Sequence, residues 1–174
     1  MSSEDEIDRL WREHAPAVHR YSRRRFPADT IDEIVAETFC VAWRRQDDVP
    51  ADPLPWLLGV SRRVGANVVR GERRRRSLLE RLARQPQPAT VESDDAIQAV
   101  ADALRALGEA DRELLTLIAW DGLTHAQAAQ ALGCSPGAVK VRLHRARRRL
   151  ALLLDPAPGA PTLVPCTSTP GDVA

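Results

Sequence analysis

Apolar residues recur at intervals of three and four along most of the chain, which is the spacing of amphipathic helices. The first such segment runs from Glu4 to Arg25 and ends before Phe26 and Pro27. Its apolar stripe consists of Ile7, Leu10, Trp11, His14, Val18 and Tyr21. The pattern predicts a helix that buries one face, and the proline marks where that helix stops.

The next segment has a clear helix start. Thr30 followed by Glu33 has the spacing of a capping box, in which each side chain bonds the other residue's backbone N–H. The stripe that follows is Ile31, Ile34, Val35, Thr38, Phe39, Ala42 and Trp43. We therefore expect a second helix, closed by a loop over residues 46–55, which hold three prolines and three aspartates.

A third helix is expected from about Pro55 into an arginine-rich stretch. Leu57, Val60, Val64 and Val68 would form its buried side. Gly65 and Gly71 weaken it and leave room for a break near Gly71.

The chain then changes character twice. Residues 85–95, QPQPATVESDD, lack periodicity and indicate a linker. Helical patterning resumes at about Ala96, and past Leu154 five prolines predict a disordered tail. We expect an all-α fold of two small helical domains, residues 1–84 and 96–154, joined by a flexible linker at 85–95 and followed by the tail at 155–174.

Residues 123–150 carry the pattern of two short helices joined by a tight turn. Thr124 and Gln127 have capping-box spacing, and Gly133 supplies the left-handed residue that ends a helix. Ser135 can cap the next helix, whose first position suits Pro136. Ala126, Ala129 and Leu132 are predicted to face inward. The buried stripe of the second helix would be Val139, Leu143, Ala146 and Leu150.

Charge is distributed in blocks that the overall net charge of +1 conceals. Residues 62–84 hold nine arginines against two glutamates, a net charge of +7. Residues 137–150 hold six cations and no acid, whereas residues 1–56 are net negative at −4. Two cationic blocks on predicted helices indicate a polyanionic partner, and a helix-turn-helix places its second helix in the DNA major groove.

Other functional classes find little support in the composition. The three cysteines and four histidines have neither disulfide, metal-ligand nor catalytic spacing. No apolar run approaches the roughly 20 residues of a membrane span, and the N-terminus is too acidic for a signal peptide. We expect a cytoplasmic protein that is not an enzyme and takes no metal or cofactor.

The motifs resemble those of one family. LGEADRELLTLIAWDGLTHAQAAQALGCS, from residue 107, and GAVKVRLHRARRRL, ending at residue 150, are similar to region 4 of the extracytoplasmic-function (ECF) sigma factors of bacterial RNA polymerase. DEIVAETFCVAW, residues 32–43, resembles region 2.2, and WLLGVSRRVGANVVRGERRRR, residues 56–76, resembles regions 2.3 and 2.4. The resemblance covers about residues 7–150.

This resemblance implies a division of labour. Region 2 would bind the clamp helices of the largest polymerase subunit and open the minus-ten element. Region 4 would read the minus-thirty-five element and touch the polymerase flap. An anti-sigma factor is a further partner that the resemblance implies.

By position, the resemblance also implies site residues. Polymerase would contact Asp32, Glu33, Glu37 and Phe39. The minus-ten promoter DNA would lie along Arg62, Asn67, Arg70, Arg73 and Arg74. The upstream element would be read or held by Ser135, Pro136, Gly137, Lys140, Arg142 and Arg145.

The chain departs from the family pattern at two places. Arg63 stands where related proteins often have an asparagine. The loop at 46–55, which holds a flipped promoter base in the family, lacks aromatic and glycine residues here. It would have to hold an unstacked base by shape and hydrogen bonds.

Two other interpretations remain open at this point. One is a helix-turn-helix regulator whose residues 1–84 form a sensor or dimerisation domain. The other is a helical adaptor that binds proteins only, such as a sigma-like antagonist. The cationic block at 62–84 favours the sigma factor, because neither alternative needs a second DNA-contacting surface.

Overall fold

A computed structural model describes residues 3–80 and 95–154, with side chains described for 5–72, 74 and 98–154. This part of the chain is helical and contains no strand, in agreement with the all-α prediction. The helices are α1 (Ser3–Arg25), α2 (Ile31–Arg44), α3 (Pro53–Glu80), α4 (Asp95–Ala106), α5 (Glu109–Ala119), α6 (His125–Leu132) and α7 (Pro136–Leu154). None of the described helices is long and apolar enough to cross a membrane.

The first two helices form where the sequence predicts them, but the start of α2 differs from the prediction. The Thr30 hydroxyl donates to the Pro27 carbonyl over 2.8 Å and caps no helical N–H. A short 3-10 turn, Ala28–Thr30, precedes α2 and turns the hydroxyl back toward Pro27. The predicted capping box at Thr30 is therefore wrong.

The third helix begins earlier and runs further than expected. It starts at Pro53 and passes through Gly71 without a break. Prolines at 53 and 55 fall in the first turn, where backbone N–H groups have no helical partner, so they do not disrupt it. At Gly65 the Phe26 ring packs directly on the α3 backbone. A glycine at this position makes room for that ring.

Several of the predicted core assignments change, among them Trp11 of α1, which is 42% exposed. Trp43 is 57% exposed although it follows the α2 stripe. On α6, Ala126 is exposed, whereas Ala128 and Ala131 are buried together with Ala129. The buried face of α6 is wider than expected because α6 packs against α3 as well as α7.

The packing of α6 on α3 joins the N-terminal and C-terminal helices through one continuous core. That core contains Val18, Phe39 and Leu57 from the first three helices and Leu114 and Val139 from later ones. A Cβ atom placed on Gly59 would lie 3.1 Å from the Ala131 carbonyl oxygen, so the backbones of α3 and α6 approach closely. The division at residues 85–95 stays a prediction, since residues 85–94 and the predicted tail lie outside the described residues.

Candidate nucleic-acid and polymerase interface

Local interactions build the helix-turn-helix as the sequence predicted. The Thr124 hydroxyl accepts from the Gln127 N–H at 3.3 Å, and the Gln127 side chain accepts from the Thr124 N–H at 2.8 Å. Gly133 has φ +68°, the left-handed conformation that ends α6. The Ser135 hydroxyl accepts from the Ala138 N–H at 3.2 Å, and Pro136 is the first residue of α7. The capping box at Thr124 and the turn at Gly133 are confirmed.

The second helix of this unit, α7, has one buried face and one free face. Val139, Leu143 and Ala146 are 3% exposed or less, as predicted. The exposed side of α7 carries the cations and a few small or apolar residues. Those exposed residues are Ser135, Pro136, Gly137, Ala138, Lys140, Val141, His144, Arg145, Arg147, Arg148 and Arg149.

Arg142 lies apart from the other predicted DNA residues of α7. It sits at the edge of the buried face, half-buried, with its Nε 3.5 Å from an Asp111 carboxylate oxygen. Arg149 donates to the same carboxylate over 2.6 Å. Asp111 of α5 thus pairs with two arginines of α7, the helix that packs beside α5.

The sequence pattern did not identify Val141 as a surface residue. It is 53% exposed, in the N-terminal half of α7 and between two cationic neighbours. Its position two residues after buried Val139 could have identified it, because two residues are roughly 200° around a helix.

The second predicted DNA surface lies on α3 and is here called the α3 surface (Arg62, Asn67, Arg70, Arg73, Arg74). Asn67, Arg70 and Arg74 are exposed. Arg70 donates to the Asn67 side-chain oxygen over 2.6 Å and to the Ala66 carbonyl over 3.0 Å. The side chain of Arg73, a fifth predicted contact, lies outside the described residues.

Arg62 is partly exposed, and it pairs with a buried acid of α5. Its Nε donates to the Glu113 carboxylate at 3.2 Å. Glu113 belongs to α5 and is 4% exposed, and it also accepts from the Tyr21 hydroxyl at 2.7 Å and pairs with Arg25 at 3.1 Å. A buried acid of the C-terminal half therefore collects three donors from α1 and α3, here called the Glu113 cluster (Tyr21, Arg25, Arg62, Glu113).

Burial and nearby charge shift the proton equilibrium of the phenol in this cluster. Burial raises the pKa of Tyr21 far above its ordinary value, and the negative charge of Glu113 raises it further, against the opposing effect of Arg25 and Arg62. Tyr21 consequently stays protonated and serves as a hydrogen-bond donor.

Other polar contacts also cross between the two halves. Arg24 pairs with Asp121, whose side chain is 7% exposed. Gln127 donates to Asp52 over 2.7 Å, which connects the start of α6 to the loop before α3. Arg25 reaches Glu109 as well as Glu113.

The predicted polymerase contacts lie on α2, and one of them is internal. Asp32 and Glu33 are exposed, and Glu37 pairs with Arg44 at 2.5 Å. Phe39 is only 4% exposed, so as a surface contact it is corrected to a core residue in this arrangement. It is covered by Trp11 of α1, with ring centroids 4.6 Å apart and planes at 61°.

Trp11 itself remains 42% exposed. It borders a shallow groove between α1 and α2 that Ala15, His19, Asp32 and Val35 also line. Sequence reasoning assigned Trp11 to the core stripe and so missed it as a surface aromatic. Among the described residues, no group of three or more His, Cys, Asp or Glu side chains could hold a metal ion.

Comparison with known proteins gives the same assignment for both halves. The family model described as Sigma-70, region 4, matches residues 97–150. RNA polymerase sigma factor NccH of Alcaligenes xylosoxydans xylosoxydans is 35% identical over 143 residues, which are 74% of this chain and 75% of that protein. ECF RNA polymerase sigma factor SigL of Mycobacterium tuberculosis is 32% identical over 157 residues, 83% of this chain and 86% of that protein.

Solved structures agree. The sigma factor RpoE from Bartonella quintana, crystallised with the anti-sigma factor NepR, has a TM-score of 0.64 and 26% identity, covering 86% of this chain and 96% of that one. CnrH, solved in complex with the cytosolic domain of CnrY, has a TM-score of 0.62 and 29% identity, covering 88% and 90%.

The helix-turn-helix, together with the matching family model and relatives, identifies the class as DNA-binding proteins of transcription initiation. The matches extend well beyond the helix-turn-helix, so a regulator with an unrelated N-terminal sensor domain is not favoured. The chain belongs to the ECF sigma factors, which direct core RNA polymerase to promoters.

Proposed function

We propose that the two cationic surfaces of this sigma factor divide one promoter between them. The exposed face of α7 would read the minus-thirty-five element, and the α3 surface would hold DNA at the minus-ten element during opening. The observation that carries the proposal is the exposed side of α7, which presents five exposed cations on a capped helix-turn-helix.

Within α7 the roles differ by position. Ser135, Pro136 and Gly137 lie at the N-terminal end, which enters the major groove in this motif. Lys140 and Arg145 follow and are exposed, so they can reach base edges or phosphates. Arg142 would serve better as a phosphate contact near the edge of the interface, because Asp111 holds it beside α5.

On α3, the exposed residues Asn67, Arg70 and Arg74 would follow the promoter backbone, and Arg73 belongs to the same proposal by its position in sequence. Arg62 would join them once its contact with Glu113 is released. Phosphate contacts of this kind add affinity that falls steeply with salt.

For polymerase binding we propose the exposed acids Asp32 and Glu33, with Glu37 at the edge, together with the exposed ring of Trp11. An aromatic ring beside acidic residues suits an interface that buries an apolar centre within a charged rim. The clamp helices of the largest subunit would occupy this face, and the flap would contact the C-terminal helices.

An anti-sigma factor is a further proposed partner. The RpoE and CnrH structures are of complexes, with NepR and with the cytosolic domain of CnrY respectively. We also propose that the chain works in the cytoplasm as a binding factor and catalyses no reaction itself, which suits a protein that brings polymerase to chromosomal DNA.

Transcription in vitro tests the proposal. Core polymerase and a template library randomised across the promoter region should yield transcripts only when this chain is added. Lys140→Ala and Arg145→Ala should reduce that product about tenfold or more, since each removes a cation from the DNA face.

Arg105→Ala provides a matched control, because Arg105 is an exposed arginine on α4 that pairs with Asp102. It should leave the product unchanged. Equal losses in all three variants would contradict the role given to α7. Binding of this chain to DNA without any transcript that depends on the chain would contradict the polymerase role.

A further inference from the structure

The outward face of α7 has an apolar residue at its centre. Val141 is 53% exposed, whereas Val139 and Leu143 on either side of it in sequence are 3% exposed or less. At roughly 100° per residue, Val141 lies about 200° from Val139, so it points directly away from the core. Burial in this chain does not explain an apolar side chain at that position.

The residues around Val141 leave room for a polar surface to approach this side chain closely. One turn earlier stands Gly137, which has no side chain, and a Cβ atom added there would have no neighbour closer than 4.0 Å. One turn later stands Arg145, and Lys140 precedes Val141 directly; both are exposed. The valine is therefore a small apolar spot inside a cationic strip.

The DNA major groove offers one apolar feature to such a spot. Each base pair presents hydrogen-bond donors and acceptors there, and only thymine adds a methyl group at C5. Valine neither donates nor accepts hydrogen bonds through its side chain. Opposite a polar base edge it would remove water from that edge without replacing its hydrogen bonds, which is unfavourable.

We infer that Val141 selects thymine within the upstream promoter element by packing its methyl groups against the thymine C5-methyl. This inference rests on the proposed reading of that element by α7 and names one base that it prefers. Lys140 and Arg145 fix the helix in the groove, and Val141 adds discrimination at one base pair.

Replacing thymine by deoxyuridine tests the inference, because it removes only the C5-methyl group. Holoenzyme assembled from core polymerase and the full chain first selects active templates from a library randomised in the upstream region. Each thymine of the selected element is then replaced singly by deoxyuridine, and the holoenzyme concentration at half-maximal binding is measured for every template.

At one thymine the replacement should weaken wild-type binding about fourfold, the factor expected for losing one buried methyl group. Val141→Ala should bind the thymine template correspondingly less well and should no longer distinguish thymine from uracil there. Val100→Ala is the matched control, since Val100 is a 42% exposed valine on α4. It should keep the wild-type discrimination.

Three results would overturn the role of Val141 alone: a selected element without thymine, no uracil effect in the wild type, or an undiminished uracil effect in Val141→Ala. Each would leave chain-dependent transcription intact. Loss of that transcription on every template would overturn the proposed function and, with it, this inference.

Discussion

The Tyr21 hydroxyl donates a 2.7 Å hydrogen bond to the Glu113 carboxylate across 92 residues of sequence. Tyr21 is 3% exposed and Glu113 4%, so the bond lies away from water and connects α1 to α5. Arg25 and Arg62 bind the same carboxylate. The two cationic halves of the molecule therefore meet around a single buried acid.

Removing this acid should destabilise the described arrangement. Glu113→Gln keeps the shape but leaves Arg25 and Arg62 without their shared anion, and it should lower the free energy of unfolding by about 1–3 kcal/mol in urea titrations. Asp102→Asn removes an exposed acid that pairs with Arg105, and it should cost less than about 1 kcal/mol. Equal effects of the two substitutions would argue against the importance of burial.

Alkaline pH should act through Tyr21, the only tyrosine of the chain. Its pKa is raised in the folded protein, so the folded state keeps the proton while the unfolded state releases it above pH of about 10. Above that pH the free energy of unfolding should fall by up to about 1.4 kcal/mol per pH unit from this group, and below it the contribution is complete.

Phenolate absorbance measured across the alkaline range reports directly on this single residue. The absorbance should rise only when the protein unfolds, and Tyr21→Phe should lose its part of the alkaline slope. A phenol that titrates at its ordinary pKa in the folded protein would contradict the burial of Tyr21.

Two glycines of α3 should respond oppositely to the same substitution. A Cβ at Gly65 would lie 2.2 Å from the Phe26 ring, whereas Gly71 has no atom within 4 Å. Gly65→Ala should cost about 1–3 kcal/mol, because the ring must move. Gly71→Ala should stabilise by about 0.5–1 kcal/mol, because alanine favours the helix. Unfolding midpoints in urea measure both, and a gain at Gly65 would refute its packing role.

The turn of the helix-turn-helix should depend on backbone conformation at Gly133. With φ +68° and open space around it, alanine there is strained without any clash, and Gly133→Ala should cost about 1 kcal/mol. Gly133→Asn should cost less, because asparagine tolerates the left-handed region better. Thermal unfolding distinguishes the two, and a larger loss for asparagine would contradict the conformational role of Gly133.

The close crossing of α3 and α6 can be tested by a bulky substitution at the crossing point. Gly59→Val places methyl groups against Ala131 and should separate the two helices, whereas Gly71→Val adds the same group to the same helix in open space. Cys40 and Cys134 are exposed, one in each half, and can carry fluorescent labels once Cys166 is replaced by serine. Energy transfer should fall in Gly59→Val and stay unchanged in Gly71→Val; unchanged transfer in both would argue against the contact.

Much of the fold was predictable from local signals. The capping box at Thr124, the left-handed Gly133 and the α7 stripe depend on neighbouring residues, so the sequence contains what determines them. The contacts between halves were not predictable, because they pair residues far apart, such as Tyr21 with Glu113. The same long-range packing widened the buried face of α6 beyond its expected stripe.

The kind of site, an exposed cationic helix, was predictable from the sequence, but the individual contacts of its residues were not. Exposed Lys140 and Arg145 follow from the helical period, whereas the pairing of Arg142 with Asp111 depends on how α5 packs beside α7. On α2, periodicity treated Phe39 and Trp43 alike, yet one is 4% and the other 57% exposed. Phe39 is covered by Trp11 of α1 and belongs to the common core, and these contacts between helices are not contained in the α2 pattern.

The packing of α6 on α3 limits how much DNA the closed molecule can span. In the proposed function α3 and α7 hold the two elements, and both helices pack against α6 at interaxial distances of about 8–10 Å, whereas elements centred at minus ten and minus thirty-five are separated by about 85 Å of B-form duplex. To bind both elements at once, the N-terminal and C-terminal helices would have to separate. The apparent affinity for a promoter is then proportional to the fraction of molecules that are already separated. Core polymerase would raise that fraction by binding the separated form. Tight promoter binding would then be limited to the assembled holoenzyme.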